Sequence, residues 1–412
     1  MSTSLLTASS ALRNHQTFMN VIANNIANMN TIGFKSSGVL FQDLLSRTIS
    51  AGAAPAENRG GINPMQVGLG MQVGSITTNM GQGILQSTGR GQDLAITGTG
   101  FFIYAGATQP IYSRDGALGM DSEGNLVNLG TGLRIQGWQA DEEGNINTAD
   151  ALGDLVIPIG APMAAVPTSN VTLAGNLNAA TEAGDAISTT VQFYDSLGGL
   201  NNVQLSFVKS GANTWDVQVE ASPGTDVNLG APTPASIQFD ESGRLIQPEN
   251  GQITFTGTLT NGAADVNITL DISRLSQLED DGASELYVTN QDGRAAGQMI
   301  DFTINDTGEI TAIYSNGLLR TLGQIAIAEF ANPAALTKTG QNGYVVSANS
   351  GDPQVVQAGD RSTISAGFLE LSNVDLTSEF SDMIRAQRGF QANSRVVTTS
   401  DQMLQELVNL IR

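Results

Sequence analysis

The sequence predicts a mainly β protein with terminal α-helices. The N- and C-terminal helices should form a coiled coil that carries two nested antiparallel β domains. Three observations lead to that reading. Apolar residues recur at heptad spacing at both ends of the chain. The 412 residues include 47 glycines, while aromatics make up only 5%, a turn-rich composition. One turn form, Asp or Asn followed three residues later by Gly, recurs between short strand-like runs.

The C-terminal seam is the longer. Leu376, Met383, Phe390, Val397, Leu404 and Ile411 stand seven residues apart and all are apolar. The positions four residues on are mixed: Phe380, Gln387, Ser394, Asp401 and Val408. Such a helix makes a narrow contact with another helix rather than a broad core face. At the other end Leu5, Ala8, Leu12, His15, Met19, Ile22, Ile26 and Met29 alternate spacings of three and four. Ser2, Thr3 and Ser4 offer an N-cap, and Gly33 a stop. The two helices should be roughly 40 Å and 60 Å long. Either they pair with each other, or each packs on its own β domain; seam geometry leaves both open.

Between the helices the chain divides by composition. Residues 36–70 and 365–366 read as linker, and 51–64 is rich in Ala, Gly and Asn and should be extended or irregular. Strand signals begin at Met71 and continue through Asp93–Ile103. The turns Asp121–Gly124, Asp141–Gly144, Asp240–Gly243 and Asn305–Gly308 each pair a side-chain acceptor with a glycine suited to positive φ. Period-two alternation in 189–194, 203–208, 215–219 and 252–256 indicates an antiparallel sandwich or barrel. The expected organisation is a helical domain of 1–35 and 367–412, a discontinuous inner β domain of 71–147 and 287–364, and an inserted outer β domain of 148–286.

Charge marks the same insertion. Residues 141–310 hold 24 acids against Lys209, Arg244, Arg274 and Arg294, so they carry −20 of the net −21. This is the composition of a solvated surface kept soluble by self-repulsion; an acidic ion-binding surface is the alternative. It excludes a basic nucleic-acid footprint. The absence of cysteine excludes disulfides, thiolate metal sites and cysteine nucleophiles. No run of about 18 apolar residues is present, so no membrane insertion is expected. The N-terminus lacks the pattern of a cleaved secretory signal.

Motifs for chemistry are missing. Gly98-Thr99-Gly100 lacks the third glycine of a dinucleotide loop, because Ile103 stands there. Asp121 and Asp141 lack the further acids of an EF-hand loop. His15, the single histidine, lies in the helical seam and reads as a packing residue. We expect no enzyme activity, no catalytic residues, no metal and no cofactor.

Two motifs carry a family resemblance. Ala23-Asn24-Asn25-Ile26-Ala27-Asn28, followed by Gly33-Phe34-Lys35, resembles the N-terminal motif of the bacterial flagellar rod and hook (axial) family. Ser372-Asn373-Val374-Asp375-Leu376, with Gln387-Arg388-Gly389-Phe390-Gln391-Ala392-Asn393, resembles its C-terminal one. Asn24, Asn25, Asn28, Gly33, Phe34, Lys35, Gln387, Arg388, Gln391 and Asn393 are the matching residues. Gly389 departs from the pattern; it costs a helix about 1 kcal/mol relative to Ala and permits close packing. The four asparagines between 24 and 30 are read either as a fraying terminus or as amides bonding neighbouring subunits.

Residues 314–333 are more similar to hook proteins than to rod proteins. The resemblance implies a structural subunit of a curved, flexible tube that passes torque from rod to filament. It implies self-assembly into an open helical polymer through Leu5, Leu12, Met19, Ile22 and Ile26 and the C-terminal seam. It also implies rod, hook-cap and hook–filament junction proteins as partners. Export through the flagellar type III apparatus would make the protein extracellular. A distal rod protein is the nearest alternative and is expected to lack 148–286. A secreted adhesin or glycan-binding β protein would explain the acidic domain but not the helical motifs.

Overall fold

The computed structural model describes residues 2–55, 59–141, 143–222, 227–279, 285–359 and 361–410. Two long helices bracket the chain: α1, Ser2–Ala27, and α2, Leu376–Leu410. At 1.5 Å per residue they are about 39 and 52 Å long. Apart from one short 3-10 turn, Pro333–Ala335, the regular elements between them are all strands. The expected N-cap cannot be followed, because the side chains of Ser2 and Thr3 lie outside the described residues. The expected stop at Gly33 comes late: α1 ends at Ala27, where the Asn-rich stretch turns on itself. There the Asn28 N–H donates to the carbonyls of Asn24 and Asn25, and the Thr31 N–H to that of Asn28.

The chain forms two compact units. The first comprises 1–157, 303–311 and 320–412, and the second 158–302 and 312–319. These borders differ from those read in the sequence. Residues 148–157 belong to the first unit because Gly153–Asp154 pairs with Gln136–Gln139, and Leu155 and Ile157 are buried. Residues 287–302 belong to the second, where Glu285–Gln291 pairs with Asn170–Asn176.

The sheet of the first unit is built around Leu319–Glu329. This strand pairs antiparallel with Gln136–Gln139, Phe101–Tyr104 and Gln354–Gln357. The sheet continues through Ile111–Ser113 and Gly343–Val345 to Thr337–Gly340. Phe101, Tyr112, Trp138 and Tyr344 fill its core.

The expected linker divides: among its described residues 51–64 holds no strand and only isolated bridges such as Ala53–Ile62, as read, but the residues on either side are regular. Ser37–Asp43 pairs with Met71–Thr78, and Ser46–Ser50 with Met65–Gly68, in a two-stranded arm. Thr363–Ala366 likewise pairs with Leu94–Thr97. The arm escaped sequence reading because it has no buried face: every described residue from 41 to 69 is exposed. Period-two alternation arises only where one face is dry.

The second unit is a sandwich. One sheet runs Val227–Leu229, Gln252–Leu259, Val266–Ser276, Asn170–Asn176, Glu285–Gln291. The other runs Ala186–Tyr194, Leu200–Lys209, Thr214–Ala221, Ser236–Phe239, Leu245–Gln247. The inward residues of both, among them Phe193, Phe207, Trp215, Phe255 and Ile268, share one core. One pair breaks the expected antiparallel rule: Asn170–Asn176 lies parallel to Val266–Ser276. Alternation reports which face is buried, not strand direction.

All four Asp/Asn–Gly turns form, with Gly124, Gly144, Gly243 and Gly308 at φ between 76° and 87°. Asp121 Oδ1 accepts the N–H groups of Glu123 and Asn125, and Asp141 Oδ1 that of Asn145. These carboxylates are engaged in closing turns. The Asn125 side chain holds Asp121 below the usual carboxylate range, and the Asn145 N–H does the same for Asp141.

Candidate assembly surface

The two helices pack on each other within one chain, which decides between the two arrangements left open by the seams. They run antiparallel. Asn25 Nδ2 donates to Glu379 Oε1 at 2.8 Å, and ten residues back along α1, His15 lies against Gly389, ten residues on along α2. The register continues with small residues, Ala8 and Ala11 on α1 and Ala386 and Ser400 on α2, all buried. Small side chains let the backbones approach closely. Gly389 is a point of close approach: a Cβ there would lie 2.7 Å from His15 Cε1 and Nε2. The departure from the family pattern at 389 thus has a steric cause, and His15 is a packing residue as its seam position implied.

Of the N-terminal seam, Ile22 is fully buried, and Leu5, Leu12, Met19 and Ile26 are partly so. On α2, Leu376, Met383, Phe390 and Val397 are partly buried, whereas Leu404 is 38% exposed. Ile411 lies outside the described residues. The antiparallel register explains the change. It sets Ser4 opposite Ser400, so the last turns of α2 run past the start of α1. Every residue from 401 to 410 is exposed, including Met403, Leu407, Val408 and Leu410.

The N-terminal motif is engaged inside the chain. Asn25 is 1% exposed; its Oδ1 accepts the Ser37 N–H and its Nδ2 also reaches the Ser37 carbonyl. It fastens α1 to the strand that follows, a role that neither reading of the asparagines foresaw. Asn28 Nδ2 bonds the Asn24 carbonyl. Gly33 is required twice over: its φ is 68°, and a Cβ would meet Asp115 N at 2.8 Å. Phe34 is buried under Lys338, whose Nζ sits 5.3 Å from the ring centroid.

Lys35 ends the motif in a buried charge cluster. Its Nζ donates to Glu370 Oε1 at 2.6 Å and to the Gly81 carbonyl at 2.8 Å. The other oxygen of Glu370 takes Arg114 NH1 at 3.2 Å, and Gly83 N–H donates to Oε1. All three side chains are at most 1% exposed. Burial pulls the Lys35 ammonium below its ordinary value, and the Glu370 carboxylate opposes that shift. Glu370 and Arg114 carry no sequence signal; they are 335 and 79 positions from Lys35 and meet only through the fold.

The C-terminal motif divides differently. Asn393 Nδ2 bonds the Gly389 carbonyl, whereas Gln387, Arg388 and Gln391 are exposed. Among the described residues no group of three His, Cys, Asp or Glu is placed to hold a metal, and no helix is long and apolar enough to cross a membrane.

Comparison with known proteins gives this arrangement a context. Three family models match: "flagella basal body rod protein" over 5–35, "flagellar basal body protein FlaE D2 domain" over 164–344, and "flagellar basal body rod FlgEFG protein C-terminal" over 365–410. Together they define the class, an axial protein of the flagellar rod and hook. Full-length relatives narrow it. The chain is 41% identical to the flagellar hook protein FlgE of Borreliella burgdorferi, over 100% of both chains. It is 34% identical to that of Escherichia coli, over 98% of both. The chain belongs to the flagellar hook protein family.

The crystal structure of Helicobacter pylori flagellar hook protein FlgE2 shares the fold at TM-score 0.50 and 15% identity, covering 69% of this chain and 100% of that one. A Bacillus subtilis protein named flagellar basal-body rod protein FlgG is 30% identical over 99% of both chains. The adhesin reading falls with the family assignment.

Proposed function

We propose that this chain is the repeating, non-catalytic subunit of the hook, and that the bare distal turns of α2 are covered by a second copy of the same chain. The observation that carries this is the overhang: Met403, Leu404, Leu407, Val408 and Leu410 are all more than a third exposed, beyond the end of α1. A second copy is the fitting occupant because the surface continues an existing helix–helix seam. A self-contact between different faces of one molecule builds an open helical polymer when its rotation does not close into a ring. The arm adds exposed apolar residues of the same character, among them Leu45 at 66%, Ile49 at 58% and Met65 at 59%, on the first unit.

In this reading the tube joins rod to filament and transmits torque, with rod, hook-cap and hook–filament junction proteins at its ends. The subunit reaches the cell exterior through the flagellar type III apparatus without a cleaved signal. The acidic sandwich faces solvent in the wall of the tube, where like charge keeps neighbouring subunits weakly adhesive and able to slide.

A chromosomal deletion examined by electron microscopy tests the function. The expected result is filamentless cells with basal bodies that end at the rod and lack hooks. Normal hooks in the deletion strain would refute it, and loss of the distal rod itself would favour the rod reading.

A further inference from the structure

His15 is the only histidine in the chain, and the fold puts it against Gly389 in the helix pair. Its ring fills the notch left by Gly389 on one side. On another it meets Phe41, centroids 6.0 Å apart, and Phe41 in turn stands edge-on to Phe18 at 5.6 Å. Nδ1 is buried and has no hydrogen-bond partner among the described residues. A bare lone pair is a cheaper buried group than an unpaired N–H, so the neutral ring should carry its proton on Nε2.

We propose that His15 is an acid-sensitive latch on the terminal helix pair: neutral, it seats in the Gly389 notch, and protonated at Nδ1 it loosens α1 from α2.

A second proton would create a buried charged donor with no acceptor, in a site walled by a glycine backbone and an aromatic ring. The surrounding elements offer no counter-charge. On α1 the neighbouring charge is Arg13, which is exposed. On α2 the charged residues within a turn of Gly389 are Arg385 and Arg388, both exposed, with Arg385 paired to Asp382 at 3.1 Å. Ser37–Asp43 contributes only Asp43, also exposed, and Met71–Thr78 has no charged residue. Burial alone shifts His15, and it shifts it down from 6.5.

The sign follows. The unfolded chain binds the proton more readily than the folded one, so the contribution of His15 is intact above pH 6.5. It is lost as pH falls through the lower folded value. Glu379, the other shifted group at this interface, moves the opposite way. Burial raises its pKa, so its contribution grows on acidification and cannot produce a loss.

The test is amide hydrogen exchange on the full chain, with protection factors for α1 and α2 compared at about pH 7.5 and about pH 5. The wild type should lose protection on acidification by roughly tenfold for each pKa unit of the His15 shift. His15→Gln, neutral throughout, should lose none in these helices. Equal losses in the two chains, or no loss in the wild type, would overturn the latch. Packing is checked separately. Gly389→Ala should lower protection at both pH values, and adding His15→Ala should restore it. Failure of that rescue would mean that the notch is not shaped for the ring.

Discussion

The two ends of α2 obey different rules. Its first turns follow shortly after Glu370, which ends the preceding strand, is enclosed by Lys35 and Arg114 and is 0% exposed, and they are bonded to α1 through Asn25 and Glu379. Its last ten described residues touch water on every side. Both ends belong to one continuous helix with one apolar seam. The difference comes from the partner: α1 is 26 residues long and α2 is 35. The near end is thus a folding element, and the far end is the one we propose for assembly. The seam is satisfied within the chain as far as α1 reaches and left bare beyond it.

Mutations can break this contrast in graded steps. The largest loss of monomer stability is expected at the junction. Glu370→Gln removes the shared carboxylate and leaves two buried cations facing each other, at a cost of about 3–5 kcal/mol, measurable by denaturant unfolding. Ile22→Ala, on the near half of the helix pair and 2% exposed, should cost about 2–5 kcal/mol. In the same assay a loss below about 1 kcal/mol would mean that the pair contributes little to the isolated subunit. Smallest of all, Glu406→Ala on the bare turns should change monomer stability by less than about 0.5 kcal/mol and leave hooks intact.

The helices and the four Asp/Asn–Gly turns were legible because each depends on residues close in sequence: a period along one seam, or a side chain and a glycine three positions apart. The strands of the sandwich were legible where one face is dry, as in Gln252–Leu259, whose burial alternates along its length. The arm at 46–68 was not, because it buries neither face. The parallel pairing of Asn170–Asn176 was not, because direction is set by the path of the chain. Of the candidate site, the seam spacing was legible as a helix-packing pattern, but where the contact within the chain ends depends on the antiparallel register. That register is fixed by His15 against Gly389 and by Asn25 against Glu379, contacts between residues more than 350 positions apart. Lys35 appeared in the sequence only as a motif letter. Its meaning, a cation buried against Glu370, exists only in the folded chain.

Leu404→Asp tests the central claim most directly, with monomer unfolding and hook growth measured on the same variant. Leu404 stands past the end of α1, so a charge there should leave the isolated subunit within about 0.5 kcal/mol of wild type. In the polymer the same charge would be buried and unpaired at every subunit. The expected outcome is a folded, secreted subunit that builds no hooks. Normal hooks from that variant would contradict the assembly role of the distal turns, and a destabilised monomer would show that those turns pack on their own chain.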